Sequence, residues 1–267
     1  MSTELETMFV RTRSENRAAL IAYLPAGFPS QQGCKDVIEV LANSGVDAIE
    51  IGYPYSDPVM DGPTIQRAAE ISLRAGTGAA EVFSTLRFAH DLGLPSIVMT
   101  YWNPIERYGV ERFARDIAHN GGSAVITPDL TIEESTKWKT ATQEAGVNSI
   151  YVVAPSTSDA RLSQVTAQCS GFVYAASLMG VTGARTGMTT SGHDLVSRIR
   201  NVTDLPVAVG LGVSTRDQAK TVAGYAEGVI VGSAFIKALL DAESSELGLR
   251  AVQVLARELA AGVREGR

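Results

Sequence analysis

The sequence has few of the residues on which metal sites and covalent cross-links depend. Its 267 residues include two cysteines, Cys34 and Cys169, and three histidines. Two cysteines form neither a disulfide framework nor a cysteine-based metal centre, and three scattered histidines do not form a metal-binding cluster. We therefore expect no metal site and no disulfide-stabilised secreted domain.

Basic stretches and long apolar runs are also missing. The formal net charge is −6, and no block of lysine and arginine is present that would neutralise nucleic-acid phosphates. No apolar run reaches the roughly 18 residues that a membrane-spanning helix needs. The N-terminal residues MSTELETMF are acidic and lack the features of a signal peptide. These absences predict a cytoplasmic protein that binds neither nucleic acid nor membranes.

What the sequence does have is a series of short apolar runs, each the length of one strand. The chain is 45% hydrophobic, which is enough to fill a large core. Most runs do not alternate polar with apolar residues, and this predicts strands covered on both faces, as in a parallel sheet. The eight runs are residues 19–24, 48–52, 95–100, 124–128, 149–153, 172–176, 206–210 and 228–232.

Segments with helical spacing lie between these runs. The alternation predicts an α/β fold, a closed (β/α)8 TIM barrel, in one domain over residues 1–267. We expect three extra helices: an N-terminal helix with a Thr3–Glu6 capping box, a helix near 62–75 after the second strand, and a closing helix over 244–264 after the eighth. A doubly wound open sheet is the alternative.

Two carboxylates lie in and after the second predicted strand. Glu50 is inside an apolar run, where a charge is costly to bury unless it is paired or functional. If it faces the barrel interior near the top, desolvation would raise its pKa towards neutrality, which suits a general acid or base. A salt-bridged or solvent-facing glutamate is the alternative. Asp61 ends the next loop, where capping of the following helix is an equally good interpretation.

Glycine-containing turns follow the last two predicted strands. The segments GLG at 210–212 and GSA at 232–234 each lead into a helical stretch. Backbone N–H groups and a helix N-terminus attract anions, and the loops after strands seven and eight are the usual phosphate site of this fold. Ordinary turn geometry is the alternative. The Gly- and Thr-rich segment 177–192 is either a disordered spacer or a lid over a ligand.

Several sequence blocks together resemble the α subunit of tryptophan synthase. They are IEIGYPYSDPVMDGPTIQ at 49–66, VMTYWNP at 98–104, FVYAASLMGVTGAR at 172–185, VGLGVS at 209–214 and GVIVGSA at 228–234. The match runs in order from about residue 19 to the end of the chain. The first and third blocks are much more specific than the glycine turns.

The resemblance implies a carbon–carbon lyase that cleaves indole-3-glycerol phosphate by a retro-aldol reaction, without a Schiff base. The products are indole and glyceraldehyde 3-phosphate. Glu50 matches the family's acid–base residue, and Asp61 matches the carboxylate that stabilises positive charge on the indole nitrogen. Tyr174 matches a pocket tyrosine that positions the reacting end. Thr182 matches a lid threonine that hydrogen-bonds Asp61.

The same resemblance implies where the rest of the substrate binds. The candidates for the indole pocket and lid region are Tyr23, Tyr101 and Ile65. The candidates for the phosphate site are Gly183, Gly212, Gly232 and Ser233. Tyr23 departs from the common family pattern, in which we expect phenylalanine, and it adds a hydroxyl group near the indole pocket.

The resemblance also implies a partner. Such an α subunit needs no cofactor of its own and passes indole to a β subunit that carries pyridoxal phosphate, in an α2β2 heterotetramer. Three alternatives remain: a stand-alone lyase that releases indole, a non-catalytic activator of a β subunit, and another phosphate-binding barrel. The presence of both Glu50 and Asp61 argues against the activator, and the block YPYSDPVMDGP argues against the other barrels.

Overall fold

A ring of parallel strands, covered by helices on its outside, forms the core of the structure. The computed structural model describes residues 3–176, 187–210 and 212–267, and of residues 187–191 it describes only the backbone. Within these residues the strands are β1 (Ala19–Pro25), β2 (Ala48–Gly52), β3 (Ser96–Met99), β4 (Gly122–Ile126), β5 (Asn148–Ile150), β6 (Val152–Val153), β7 (Val173–Ala176), β8 (Val207–Gly210) and β9 (Gly228–Val231).

The order of the strands shows how the ring closes. The hydrogen-bonded order is β5-β4-β3-β2-β1-β9-β8-β7-β6, and every pair is parallel. Its two ends, β5 and β6, are separated by Tyr151 alone, so they are two parts of the fifth predicted strand. The sixth, seventh and eighth predicted strands are β7, β8 and β9. The barrel prediction is confirmed, and the open-sheet alternative is wrong.

Helices connect the strands on the outside of the barrel. Those in the described residues are α1 (Glu4–Ser14), α2 (Gln31–Ala42), α3 (Pro63–Arg74), α4 (Ala79–Asp91), α5 (Trp102–Tyr108), α6 (Val110–His119), α7 (Thr136–Ala145), α8 (Asp159–Thr166), α9 (Gly187–Arg200), α10 (Arg216–Ala223), α11 (Ser233–Leu240) and α12 (Ser245–Glu265). In this described part of the chain, no helix has both the length and the apolar character needed to cross a membrane.

The three expected extra helices are present as α1, α3 and α12. The structure adds α5, an extra helix between β3 and β4 that the sequence analysis did not predict. Its first N–H group, at Trp102, donates to both carboxylate oxygens of Asp129, at 2.9 and 3.1 Å. Asp129 lies in the loop after β4, so this helix is capped by a residue distant in sequence, and local spacing gives no sign of it.

α1 closes the lower end of the barrel. Its capping box is formed: the Glu6 N–H donates to Thr3 Oγ1 at 3.2 Å, and the Thr3 N–H donates to Glu6 Oε2 at 2.8 Å. Its buried residues pack against the lower interior of the barrel, and the Phe9 and Phe172 ring centroids are 5.7 Å apart. The lower half of the barrel interior is therefore an apolar core, and the interior opens towards the carboxyl ends of the strands.

A buried ion pair joins the start of β1 to the start of β2. The Arg17 guanidinium donates to both oxygens of Asp47, at 2.7 and 2.8 Å. The Leu20 N–H donates to the same carboxylate at 3.0 Å, and Arg11 adds a further contact at 3.1 Å. The side chains of Arg17 and Asp47 are only 8% and 5% exposed. Four donors therefore satisfy one buried carboxylate beside two neighbouring strands.

Replacing Asp47 by alanine leaves the Arg17 charge buried without its main partner. We expect Asp47→Ala to lower the free energy of unfolding by about 3–5 kcal/mol. The control is Asp241→Ala, which removes an exposed pair with Lys237 and should lower it by about 0.5 kcal/mol or less. Urea denaturation followed by circular dichroism measures both, and equal effects of the two substitutions would refute the prediction.

Candidate active site

A cavity of about 230 Å³ opens at the carboxyl ends of the strands. It lies above the solid apolar core and between the loops that leave the barrel. Its lining residues are Tyr23, Glu50, Met60, Asp61, Ile65, Met99, Val152, Tyr174, Ala176, Gly210, Gly212, Ile230, Gly232 and Ser233. These side chains come from distant parts of the sequence, and the closed strand ring brings them together.

Glu50 lies on the inner face of β2 and is 1% exposed. Burial, followed by the nearby charge of Asp61, raises its pKa to about 8. Its Oε2 atom is buried and has no hydrogen-bond partner among the described residues. This burial excludes the solvent-facing interpretation of Glu50. Nor does Glu50 form a salt bridge with any of the described side chains. It is an acid that holds its proton at neutral pH and faces a cavity.

Asp61 reaches the same cavity from the loop after β2. The N-cap residue of α3 is Gly62, and no side chain caps that helix, so the capping interpretation of Asp61 is wrong. Burial raises the pKa of Asp61, and a hydrogen bond from Tyr101 opposes this effect. Tyr101 Oη also accepts the Met60 N–H at 3.1 Å. A single buried hydroxyl group thus holds both the loop backbone and the carboxylate.

Two tyrosine rings form opposite walls of the cavity, and each depends on a glycine in the neighbouring strand. A Cβ atom at Gly52 would lie 2.4 Å from Tyr23 Oη, and one at Gly210 would lie 2.5 Å from Tyr174 Oη. Tyr23 therefore leans from β1 onto β2, and Tyr174 leans from β7 onto β8. Any larger residue at either glycine would push the ring out of its place.

Another part of the cavity lining is built from backbone. Gly212 has φ +68°, a left-handed conformation that favours glycine. Gly232 is the N-cap of α11, and no side chain caps the N–H groups that begin at Ser233. The lining residues that the structure describes include no lysine, arginine or histidine. An anion here would therefore be bound by backbone N–H groups and the positive end of a helix dipole.

Eight of the eleven predicted site residues line this one cavity. They are Glu50, Asp61, Tyr23, Ile65, Tyr174, Gly212, Gly232 and Ser233. Tyr101 lies beside it and contacts Asp61. Thr182 and Gly183, with most of the predicted lid, lie outside the described residues. The described residues contain no cluster of His, Cys, Asp and Glu that could hold a metal ion.

The sequence-based prediction of the site did not include Gly52, and it included Gly210 only as part of the GLG turn and not as the position beneath a tyrosine ring. Each of these glycines is the last residue of an apolar run. A glycine at that position is also what a simple turn after a strand would require. Only the packing of a ring from the adjacent strand reveals why a side chain is excluded there.

Comparison with known proteins gives consistent results. The family model described as Tryptophan synthase alpha chain matches residues 9–264. Curated relatives of that name are 54% identical in Streptomyces avermitilis, over 98% of this chain and 95% of that protein, and 48% identical in Mycobacterium marinum, over 99% and 96%.

Solved structures agree over nearly the whole chain. A crystal structure of ligand-free tryptophan synthase from M. tuberculosis has a TM-score of 0.90 and 45% identity, and the match covers 98% of this chain and 100% of that chain. A crystal structure of tryptophan synthase subunit alpha from Legionella pneumophila also has a TM-score of 0.90, at 29% identity, with 98% and 99% covered.

The role of Tyr101 can be tested by removing its hydroxyl group. We expect Tyr101→Phe to raise the pKa of Asp61, because a donor that stabilises the ionised carboxylate is lost. The carboxyl carbon resonance of Asp61, titrated by NMR, reports this pKa directly. Tyr108→Phe is the matched control, since its hydroxyl donates to a different carboxylate, that of Asp116. A pKa of Asp61 that stays constant or falls in Tyr101→Phe would contradict the assignment.

Proposed function

The chain belongs to the tryptophan synthase alpha chain family, and from this premise we propose how its cavity performs the family's reaction. The reaction is the cleavage of indole-3-glycerol phosphate to indole and glyceraldehyde 3-phosphate, a lyase activity. The observation that carries the proposal is that one cavity is lined by a buried acid, by a second carboxylate and by uncapped backbone N–H groups.

Glu50 moves the two protons that the cleavage requires. With a pKa of about 8 it is protonated at neutral pH, and it gives this proton to C3 of the indole ring. The carboxylate that results takes the proton of the adjacent glycerol hydroxyl. The O–H electrons then form the aldehyde C=O bond, and the electrons of the broken carbon–carbon bond return to the ring. Glu50 ends the reaction in its starting form.

Asp61 supplies a negative charge that stabilises the positive charge formed on the substrate. Protonation at C3 places positive charge on the indole nitrogen, and an ionised carboxylate nearby stabilises that state. The hydrogen bond from Tyr101 favours the ionised form of Asp61. The two carboxyl groups thus have different tasks because their surroundings differ: Glu50 has an unpartnered buried oxygen, whereas Asp61 has a hydrogen-bond donor.

The phosphate group occupies the glycine end of the cavity, held by the Gly212 turn and by the N-terminus of α11 at Ser233. Tyr23, Tyr174 and Ile65 flank the rest of the substrate. By the resemblance, Thr182 and Gly183 would complete the site from the lid. The described lining, with aromatic side chains, carboxylates and uncapped backbone N–H groups, supports a substrate that carries both an aromatic ring and a phosphate.

The chain works with a β subunit, in an α2β2 heterotetramer, and the indole passes to that partner. We propose that pyridoxal phosphate is bound by the partner and that this chain needs no cofactor, because general acid–base and electrostatic catalysis by its carboxylates account for the cleavage. We also propose the cytoplasm as the site of action, since a substrate with a charged phosphate does not cross a membrane unaided.

The assignment of Glu50 is tested by Glu50→Gln, which keeps the shape and removes the proton. We expect turnover to fall by at least about 100-fold, while the affinity for glyceraldehyde 3-phosphate stays unchanged. Indole release is measured with and without a β subunit, and Glu39→Gln, at an exposed position on α2, is the control. Near-normal turnover in Glu50→Gln would overturn the proposal.

The activity of the wild-type protein should also decline as the pH rises through about 8, because Glu50 loses its proton.

The phosphate end is tested by a pair of substitutions at Gly212. Both Gly212→Ala and Gly212→Asp place a side chain on a backbone with φ +68°, but only aspartate adds a charge that repels phosphate. We expect Gly212→Asp to weaken binding of glyceraldehyde 3-phosphate about tenfold more than Gly212→Ala does, as measured by calorimetry. Equal affinities of the two variants would place the phosphate elsewhere.

A further inference from the structure

Tyr23 carries a hydroxyl group that the reaction described above does not use. We propose that this hydroxyl is a positioning group for Glu50, and that it donates a hydrogen bond to the Glu50 carboxylate while that carboxylate exists during turnover. The inference rests on the proposed function, because it assigns Glu50 a charged state within the catalytic cycle. It gives Glu50 a hydroxyl partner, as Tyr101 is the hydroxyl partner of Asp61.

The strand register places the two residues side by side. Tyr23 on β1 is paired with Glu50 on β2, and paired residues of parallel strands project to the same face. Gly52 lies two residues beyond Glu50, on that same inner face. Because a Cβ atom at position 52 would be 2.4 Å from Tyr23 Oη, the hydroxyl group occupies the place of the missing side chain. Glu50 therefore has a phenol as its neighbour along the inner face of β2.

The other tyrosines near the cavity have different backbone neighbours. Tyr174 Oη lies against Gly210 on β8, and the charge of Glu50 reaches it as well. Tyr101 Oη already accepts the Met60 N–H and donates to Asp61. Tyr23 is the tyrosine that the strand register pairs directly with Glu50, and the Glu50 Oε2 atom has no partner among the described residues.

The surroundings keep Tyr23 in the form of a donor. Burial, and then the charges of Asp61 and Glu50, raise the pKa of Tyr23 well above its usual value. The titratable groups around Glu50 are Asp61 from the loop after β2, Tyr23 from β1, Tyr101 from the end of β3 and Tyr174 from β7. The described lining residues offer no cation to the carboxylate, and Tyr23 is a hydroxyl donor on the strand paired with Glu50.

The timing of this hydrogen bond determines its effect. Glu50 is protonated when substrate binds, and it becomes a carboxylate only after it has protonated C3. A donor that stabilises the carboxylate therefore contributes to the chemical step and little to substrate binding. Removing the donor should lower kcat, leave KM nearly unchanged and raise the pKa of Glu50.

The test compares the wild-type protein with Tyr23→Phe and with a control, Tyr225→Phe. The control also removes a buried tyrosine hydroxyl group, which has no partner among the described residues and lies outside this cavity. The carboxyl carbon resonance that Glu50→Gln deletes is titrated by NMR in each protein. We expect the pKa of Glu50 to rise above about 8 in Tyr23→Phe and to stay constant in Tyr225→Phe. In Tyr23→Phe kcat should fall about tenfold at neutral pH, the effect of one charge-assisted hydrogen bond.

The pH profile separates this role from a structural one. In Tyr23→Phe the alkaline decline of kcat should move to higher pH, whereas a general loss of packing would lower kcat without moving it. Gly52→Ala is a second variant, because its Cβ displaces the hydroxyl and should raise the pKa of Glu50 in the same direction. An unchanged pKa of Glu50 in both variants would overturn the inference. The proposed function fails separately, through Glu50→Gln.

Discussion

The burial of a carboxyl group inside an apolar barrel is the constraint on which the site depends. Glu50 is 1% exposed, and an ion in such a place is strongly disfavoured unless other groups compensate for its lost hydration. The closed strand ring makes escape to solvent impossible, because the inner face of β2 points only into the cavity. The same burial that opposes ionisation also makes the group an acid suited to neutral pH.

Glycine positions determine how much space that acid has. β2 and β8 end in Gly52 and Gly210, and each accepts a tyrosine ring from the adjacent strand. A third glycine, Gly232, would place a Cβ atom 2.9 Å from Cδ1 of Tyr23. The two rings therefore pack against the glycine backbone of the neighbouring strands and leave the cavity open. Alanine at these positions would displace the rings into the cavity and leave less space for a ligand.

The sequence predicts much of this architecture because each strand is a short, uniformly apolar run and each helix has a regular period. The capping box of α1 and the two site carboxylates are also local signals. What the sequence does not reveal depends on contacts between distant residues. Helix α5 is capped by Asp129 from the loop after β4. Tyr101, which follows β3, donates a hydrogen bond to Asp61 in the loop after β2, and Gly52 on β2 packs against Tyr23 on β1. The local sequence pattern does not show which of these distant residues are in contact.

The absence of cations among the described lining residues has an electrostatic consequence for the acid. A lysine or arginine that bound the phosphate would also favour the ionised form of Glu50, because opposite charges in a shared cavity attract. In the proposed phosphate site, the backbone N–H groups of the Gly212 turn and of α11 would hold an anion without adding a full charge. A phosphate in that site would contribute negative charge of its own and would favour the protonated form of Glu50 further. Anion binding through the backbone thus preserves the acid for the step that needs it.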